Sequence, residues 1–266
     1  MEREGVTAVV PCFAASATLS RALESIAAQT RPPHETLLVD DGNAPAEAGA
    51  IEATAARFPA LRARVVRLPE NRGAGSARNA GWAEARTPLL AFLDADDAWH
   101  PRKLELQAAL MEAQPGLALS GHATCVLSPG ESLPAVARGS GAVRALGSFP
   151  LLVVNPLATP TWMVRRALPV RFAEGKRHVE DHLLLMELAL RGHPLAALEL
   201  ELAALFKPSL SRSGLSSQLW AMERGELDAY ARLRKRDLIG RAAQAGLSAL
   251  SLVKFLRRVA VVKLLR

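Results

Sequence analysis

Asp94, Asp96 and Asp97 place three carboxylates within four positions, straight after the apolar run Leu89-Leu90-Ala91-Phe92-Leu93. The run reads as a buried strand. If strand geometry persists past Leu93, Asp94 and Asp96 share one side and Asp97 takes the other. Neighbouring carboxylates repel unless a cation lies between them. Hard oxygen ligands suit Mg²⁺ or Mn²⁺, which complete an octahedron with water and phosphate oxygens. A solvated acidic turn after a strand would have the same composition. Asp40-Asp41-Gly42-Asn43 closes another apolar run, and Glu180-Asp181 opens a helical pattern, where the helix dipole favours acids. Arg78 carries a rigid donor fork that fits carboxylates and phosphates.

The elements that must hold these groups alternate in type. Residues 6–10, 36–39, 64–68 and 89–93 read as strands, the first stopping at Pro11. Residues 16–29, 46–58 and 75–85 read as helices between them. This β-α-β alternation predicts a parallel sheet covered by helices. Ligands of such sheets bind at the carboxyl ends of strands, where Pro11–Phe13, Asp40-Asp41 and Asp94–Asp97 all lie. A helix from Pro101 to about Gln114, strands over 117–127, 161–164 and 195–206, and a helix over 180–191 follow. Residues 128–150, rich in Gly, Pro and Ser, read as a loop.

Half of the 266 residues are apolar, enough for one large core. Two cysteines, Cys12 and Cys125, exclude a disulfide framework and a zinc spacing, and suit a reducing cytoplasm. Cys12 reads as a small apolar filler. No signal peptide and no membrane-spanning run are expected. Residues 231–266 hold ten Lys or Arg against one acid, whereas residues 1–230 hold 23 basic and 25 acidic groups. The tail has one aromatic, Phe255, which argues against nucleic acid. Over residues 250–262, Lys254, Arg257 and Arg258 fall on one side of a helical wheel. Leu252, Phe255, Leu256 and Val259 fall on the other. Such a helix either packs its apolar side on the body or lies on an anionic membrane surface.

Four segments, in order, resemble the family 2 nucleotide-sugar glycosyltransferases. Val9-Val10-Pro11-Cys12-Phe13 resembles the opening strand, and Leu38-Val39-Asp40-Asp41-Gly42-Asn43 the Val-Asp-Asp-Gly-Ser turn. Asn71 to Gly81 resembles the Gly-rich segment, and Phe92 to Asp97 the Asp-x-Asp metal motif. Val179-Glu180-Asp181-His182-Leu183 is similar to the segment that carries the catalytic base. Where many members place a His after the last strand, this chain has Lys207.

The resemblance implies an α/β GT-A fold: a Rossmann-like, mostly parallel sheet flanked by helices over residues 1–210. Residues 211–266 would form a basic helical extension. It implies an inverting glycosyltransferase using a nucleotide-sugar donor, UDP-linked by preference, and Mn²⁺ or Mg²⁺. The acceptor would be a hydroxyl of a glycan or lipid-linked molecule in cell-surface synthesis. Pro11 and Phe13 would flank the base and Asp40 would accept from its edge. Arg78 and Asp94 would hold the nucleotide, Asp96 would ligate the metal, and Asp181, with Glu180 as substitute, would be the base. The expected setting is cytoplasmic, with peripheral contact at the inner membrane face. Alternatives are a catalytically silent nucleotide-binding scaffold of the same fold and a nucleotidyltransferase. Trp99 and Trp162 read as packing or as sugar platforms, and His178 and His182 as structural.

Overall fold

The computed structural model describes residues 4–128, 130–131, 141–206 and 219–264, with side chains described as far as residue 260. The expected position of the missing His, at Lys207, lies outside the described residues. The first part alternates as β1 (Val6–Cys12), α1 (Ser16–Ala27), β2 (Glu35–Asp40), α2 (Pro45–Ala56), β3 (Ala63–Arg67), α3 (Ala74–Glu84) and β4 (Leu89–Phe92). β1 pairs in parallel with both β2 and β4, and β2 with β3. β1 does not stop at Pro11 but runs on to Cys12, opposite Asp40. Val9 O accepts from Leu93 N, so Val9 and Pro11 turn their backbone groups toward β4. Pairing with β4 ends at Val9 opposite Phe92, so the missing N–H of Pro11 removes no ladder bond.

The second part contains β5 (Ala98–Trp99), α4 (Lys103–Ala113), β6 (Leu119–Val126), β7 (Val143–Ala145), α5 (Ser148–Val153), β8 (Met163–Arg165), α6 (Glu180–Leu190), β9 (Leu195–Leu205), α7 (Leu219–Lys235) and α8 (Arg241–Leu264). The strand order is β3-β2-β1-β4-β8-β6-β9-β5, with β7 beside β9. The expected parallel pairing covers the first four strands. Beyond β4 the sheet is mixed: β8 runs antiparallel to β4 and β6, and β5 and β7 antiparallel to β9. Only β6 and β9 are parallel there. Segment 128–150, expected as a loop, contains β7 and the start of α5. Elements of three and six residues carry too little periodicity to be seen in advance.

Two apolar layers sandwich the sheet. Val10, Leu38 and Leu23 belong to one, and Val9, Val39, Trp82, Phe92 and Leu185 to the other, as alternation along each strand requires. Trp99 and Trp162 are packing residues and not sugar platforms. Both are buried, with Trp99 Nε1 donating to Pro160 O at 2.8 Å. Trp162 stacks on Phe172 with centroids 5.7 Å apart. Cys12 is buried as expected of a filler, and burial pushes its thiol up to about 12. α4 turns Lys103 into the interior, its Nζ 4.0 Å from the Trp99 ring centroid and 3.4 Å from Trp162 O. Burial holds that amine well below its ordinary 10.5.

A third apolar cluster joins Leu152, Leu183 and Met186 to Ala229, Tyr230, Leu233 and Leu247, so α7 and α8 share a core with α5 and α6. α8 is not oriented by its apolar side. Lys254 and Arg258 turn inward with Phe255, while Leu252, Leu256 and Arg257 face out. The cause lies on α7, where Glu223 and Glu226 are buried. Unpaired carboxylates would be costly there, and Lys254 Nζ reaches Glu226 at 2.9 Å while Arg258 lies 3.6 Å from Glu223.

Candidate active site

Three strand exits and two helix starts converge on one edge. At the end of β1, Phe13 stands 55% exposed and Pro11 is half-buried in the strand. Asn43 staples this exit to that of β2. Its side chain donates to Cys12 O at 2.8 Å and to Asp40 Oδ1 at 2.7 Å, and accepts from Ala14 N at 2.8 Å. Asp40 Oδ1 also accepts from Asn43 N at 2.9 Å, and Oδ2 lies 3.8 Å from Arg67 Nε. Asp41 turns the other way. Its two oxygens accept from Arg72 N and Gly73 N, each at 2.9 Å, fixing the glycine-rich turn that starts α3. Gly42 sits at φ +71°, and a Cβ there would lie 2.2 Å from Glu70 C, so only glycine lets the two turns touch.

α3 carries Arg78 inward, nine-tenths and more buried. Its guanidinium bonds Asp94 Oδ1 at 2.5 Å and lies 3.5 Å from Glu180 Oε1. The expected nucleotide-facing fork is thus engaged with two carboxylates, bridging the end of β4 to the start of α6. Gly75 leaves the room: a Cβ there would meet Glu180 Cγ at 2.9 Å. Burial and then the Asp181 charge push the Glu180 carboxyl up to about 7, against the pull of Arg78. Asp181, half-buried, accepts from Asn155 Nδ2 at 2.9 Å. His182 is structural, its Nε2 2.6 Å from Leu151 O. His178 borders a hollow of about 710 Å³ shared with Trp220, Ala221 and Arg224.

The acidic motif does not continue as a strand. Asp97 N donates to Asp94 O at 3.0 Å, closing a turn. Asp97 is therefore not isolated on the far side. Burial, then Asp94 and Asp96, push its carboxyl up to about 8, while the Phe206 N–H and Arg21 oppose the rise. Arg21 from α1 donates to Asp96 O at 2.5 Å and stacks 3.6 Å from the Phe206 ring centroid. Among the described residues no group of three His, Cys, Asp or Glu converges as a complete cation cage. The carboxylates of Asp94 and Asp96, both half-buried at the strand edge, fit a hard cation that draws its other ligands from water and phosphate.

Sequence reasoning located the acids and Arg78 but missed Asn43, Arg21 and Asn155 as positioning groups. Asn43 reaches Cys12 across 31 residues, Arg21 reaches Asp96 across 75 and Asn155 reaches Asp181 across 26, beyond any local spacing.

Residues 7–135 match the family described as Glycosyl transferase family 2. The succinoglycan biosynthesis protein ExoO of Rhizobium meliloti is 31% identical over 196 residues, 68% of this chain and 54% of that protein. The Escherichia coli UDP-Glc:alpha-D-GlcNAc-diphosphoundecaprenol beta-1,3-glucosyltransferase WfgD is 30% identical over 106 residues, 40% of each chain. The chain thus spans about half or less of the length of these relatives. The crystal structure of S. aureus TarS 1-349 in complex with UDP-GlcNAc aligns with a TM-score of 0.69 at 18% identity, over 93% of this chain and 71% of that one. No helix among the described residues is long and apolar enough to cross a membrane. With the two-layered sheet, the acidic turn at its edge and these matches together, the chain belongs to the family 2 glycosyltransferases and has their GT-A fold.

Proposed function

We propose that this chain transfers a sugar from a UDP-sugar to a hydroxyl of a glycan or lipid-linked acceptor, with inversion, in cell-surface polysaccharide synthesis. The observation that carries this is the Arg78 bridge, which ties Asp94 of the acidic turn to Glu180, next to Asp181. One guanidinium thereby fixes the donor side against the acceptor side. Phe13 offers an exposed ring to the base, and Asp40 offers Oδ2, since Asn43 occupies Oδ1. Asp96, with the second oxygen of Asp94, would hold Mn²⁺ or Mg²⁺. A bound cation would neutralise charge on the leaving diphosphate.

The acceptor oxygen attacks the anomeric carbon as Asp181 removes its proton. The bond from that carbon to the diphosphate breaks, and UDP leaves with the electron pair. A single displacement needs one base and no covalent nucleophile. Asp181 suits the role because it is the more open acid of the pair, whereas Glu180 is packed under Gly75 against Arg78. The acceptor enters by the hollow at His178, Trp220 and Arg224, which adjoins the start of α6. The basic segment 231–266 contacts an anionic membrane surface, beside which a lipid-linked acceptor would lie. WfgD, named for a diphosphoundecaprenol acceptor, supports that acceptor class.

The test is a panel of nucleotide sugars scored by Mn²⁺-dependent thermal stabilisation, followed by calorimetry on Asp96→Ala. Stabilisation by a UDP-sugar, lost in the variant, is expected. Failure with every donor would favour the silent scaffold.

A further inference from the structure

α8 turns three polar groups toward the protein beside the buried Leu247 and Phe255: Ser251 Oγ donates to Glu223 Oε1 at 2.8 Å, and Lys254 and Arg258 pair with Glu226 and Glu223. Its outward stripe is Ala245, Ala249, Val253, Leu256 and Ala260, spaced at the period of one helix face. Val253 and Leu256 are each 64% exposed, and Leu250 and Leu252 flank them. Phe149 and Val154, on and after α5, are exposed as well, and Lys254 Nζ ties α8 to that segment through Val153 O at 2.6 Å. Contiguous apolar surface of this kind marks an interaction site.

We infer that this face lies in the plane of an anionic lipid surface. Charge selects the occupant. Arg234, Lys235, Arg241 and Arg257 are exposed and make no ion pair among the described residues. No acid follows Asp237 in the sequence. Arg241 and Arg257 flank the stripe on the helix wheel, and Arg234 and Lys235 close the preceding helix; exposed cations beside an apolar stripe match phosphate headgroups over acyl chains. Arg232, Arg236, Lys254 and Arg258 are paired with Asp228, Glu187, Glu226 and Glu223, so they hold the helices and not the lipid. The inference deepens the membrane contact proposed above by naming its face, and its test needs no sugar transfer.

The full chain is sedimented with phosphatidylcholine vesicles, with and without phosphatidylglycerol, at low and high salt. Binding to the anionic vesicles at low salt is expected. Val253→Asp with Leu256→Asp abolishes it while the melting temperature stays unchanged, because both side chains are in solvent. Each of Arg234→Gln and Lys235→Gln weakens partitioning by about fivefold. No binding by the wild type, equal binding to both vesicle types, or undiminished binding by the double Asp variant overturns the inference. So does a dimer in light scattering that the double variant dissociates, which would assign the face to a second copy. Loss of donor binding in Asp96→Ala would leave vesicle binding untouched, so the two proposals fail separately.

Discussion

Asp181→Asn keeps the shape and removes the proton acceptor. Turnover falls on the order of 10²- to 10⁴-fold with donor binding intact, as separate calorimetric and kinetic measurements would register. Arg78→Lys keeps the charge but cannot reach both carboxylates, and kcat/KM drops by roughly 10²-fold. Glu180 supplies the pH test. Its carboxyl ordinarily titrates at 4.5 and is raised to about 7 here. Between those values the folded chain holds a proton that the unfolded chain has lost, so this group's contribution to stability declines as pH rises from 4.5 to about 7. Calorimetry should therefore show Glu180→Gln gaining melting temperature over the wild type at pH 8, narrowing toward pH 5. The gathering of the acids and Arg78 at one sheet edge was legible because they lie in short motifs at strand ends and helix starts. That Arg78 binds protein carboxylates was not legible, because Glu180 is 102 positions away and only the packing of α6 on α3 brings it near.

Helix α3 is set by its small residues. A Cβ on Gly81 would lie 2.4 Å from Val9 Cγ1, so Gly81→Ala pushes α3 off β1 at a cost of about 1–3 kcal/mol, measurable in urea. Gly75→Ala would meet Glu180 Cγ at 2.9 Å and Phe172 Cβ at 3.4 Å, so it displaces the carboxyl beside Arg78 and lowers kcat. In α4, burial lowers the Lys103 amine well below its ordinary 10.5. Between that lowered value and 10.5 unfolding takes up a proton, so wild-type stability rises with pH over that interval. Lys103→Met removes this dependence and is the more stable form near neutrality, as melting curves over pH would show. The β-α alternation of the first four strands was legible from period and turn residues. β5, two residues long, was not, because two residues have no period.

For the molecule as a whole, the α7–α8 pair is both buttress and surface, and adjacent residues separate the two roles. Lys254→Met leaves the buried Glu226 with only the longer 3.7 Å contact to Arg258 and destabilises the chain by about 2–4 kcal/mol in denaturant titrations. Its neighbour Val253 tolerates Asp with no loss of fold. The sequence shows α8 as amphipathic but not which side faces in, because that depends on two acids of α7 whose burial is a tertiary fact.

β9 gives the molecule a history as well as a shape. It pairs with β5, β6 and β7, and Phe206 just beyond it donates to Asp97. A chain emerging from the ribosome can close β1 to β4 among near neighbours, but the acidic turn waits for a strand about a hundred residues later. Until β9 arrives, β6 has one edge open to pairing with other chains. The candidate site's edge is thus completed among the last parts of the sheet, and a chain cut short before Leu195 would carry every residue of the acidic turn with no finished edge to hold them.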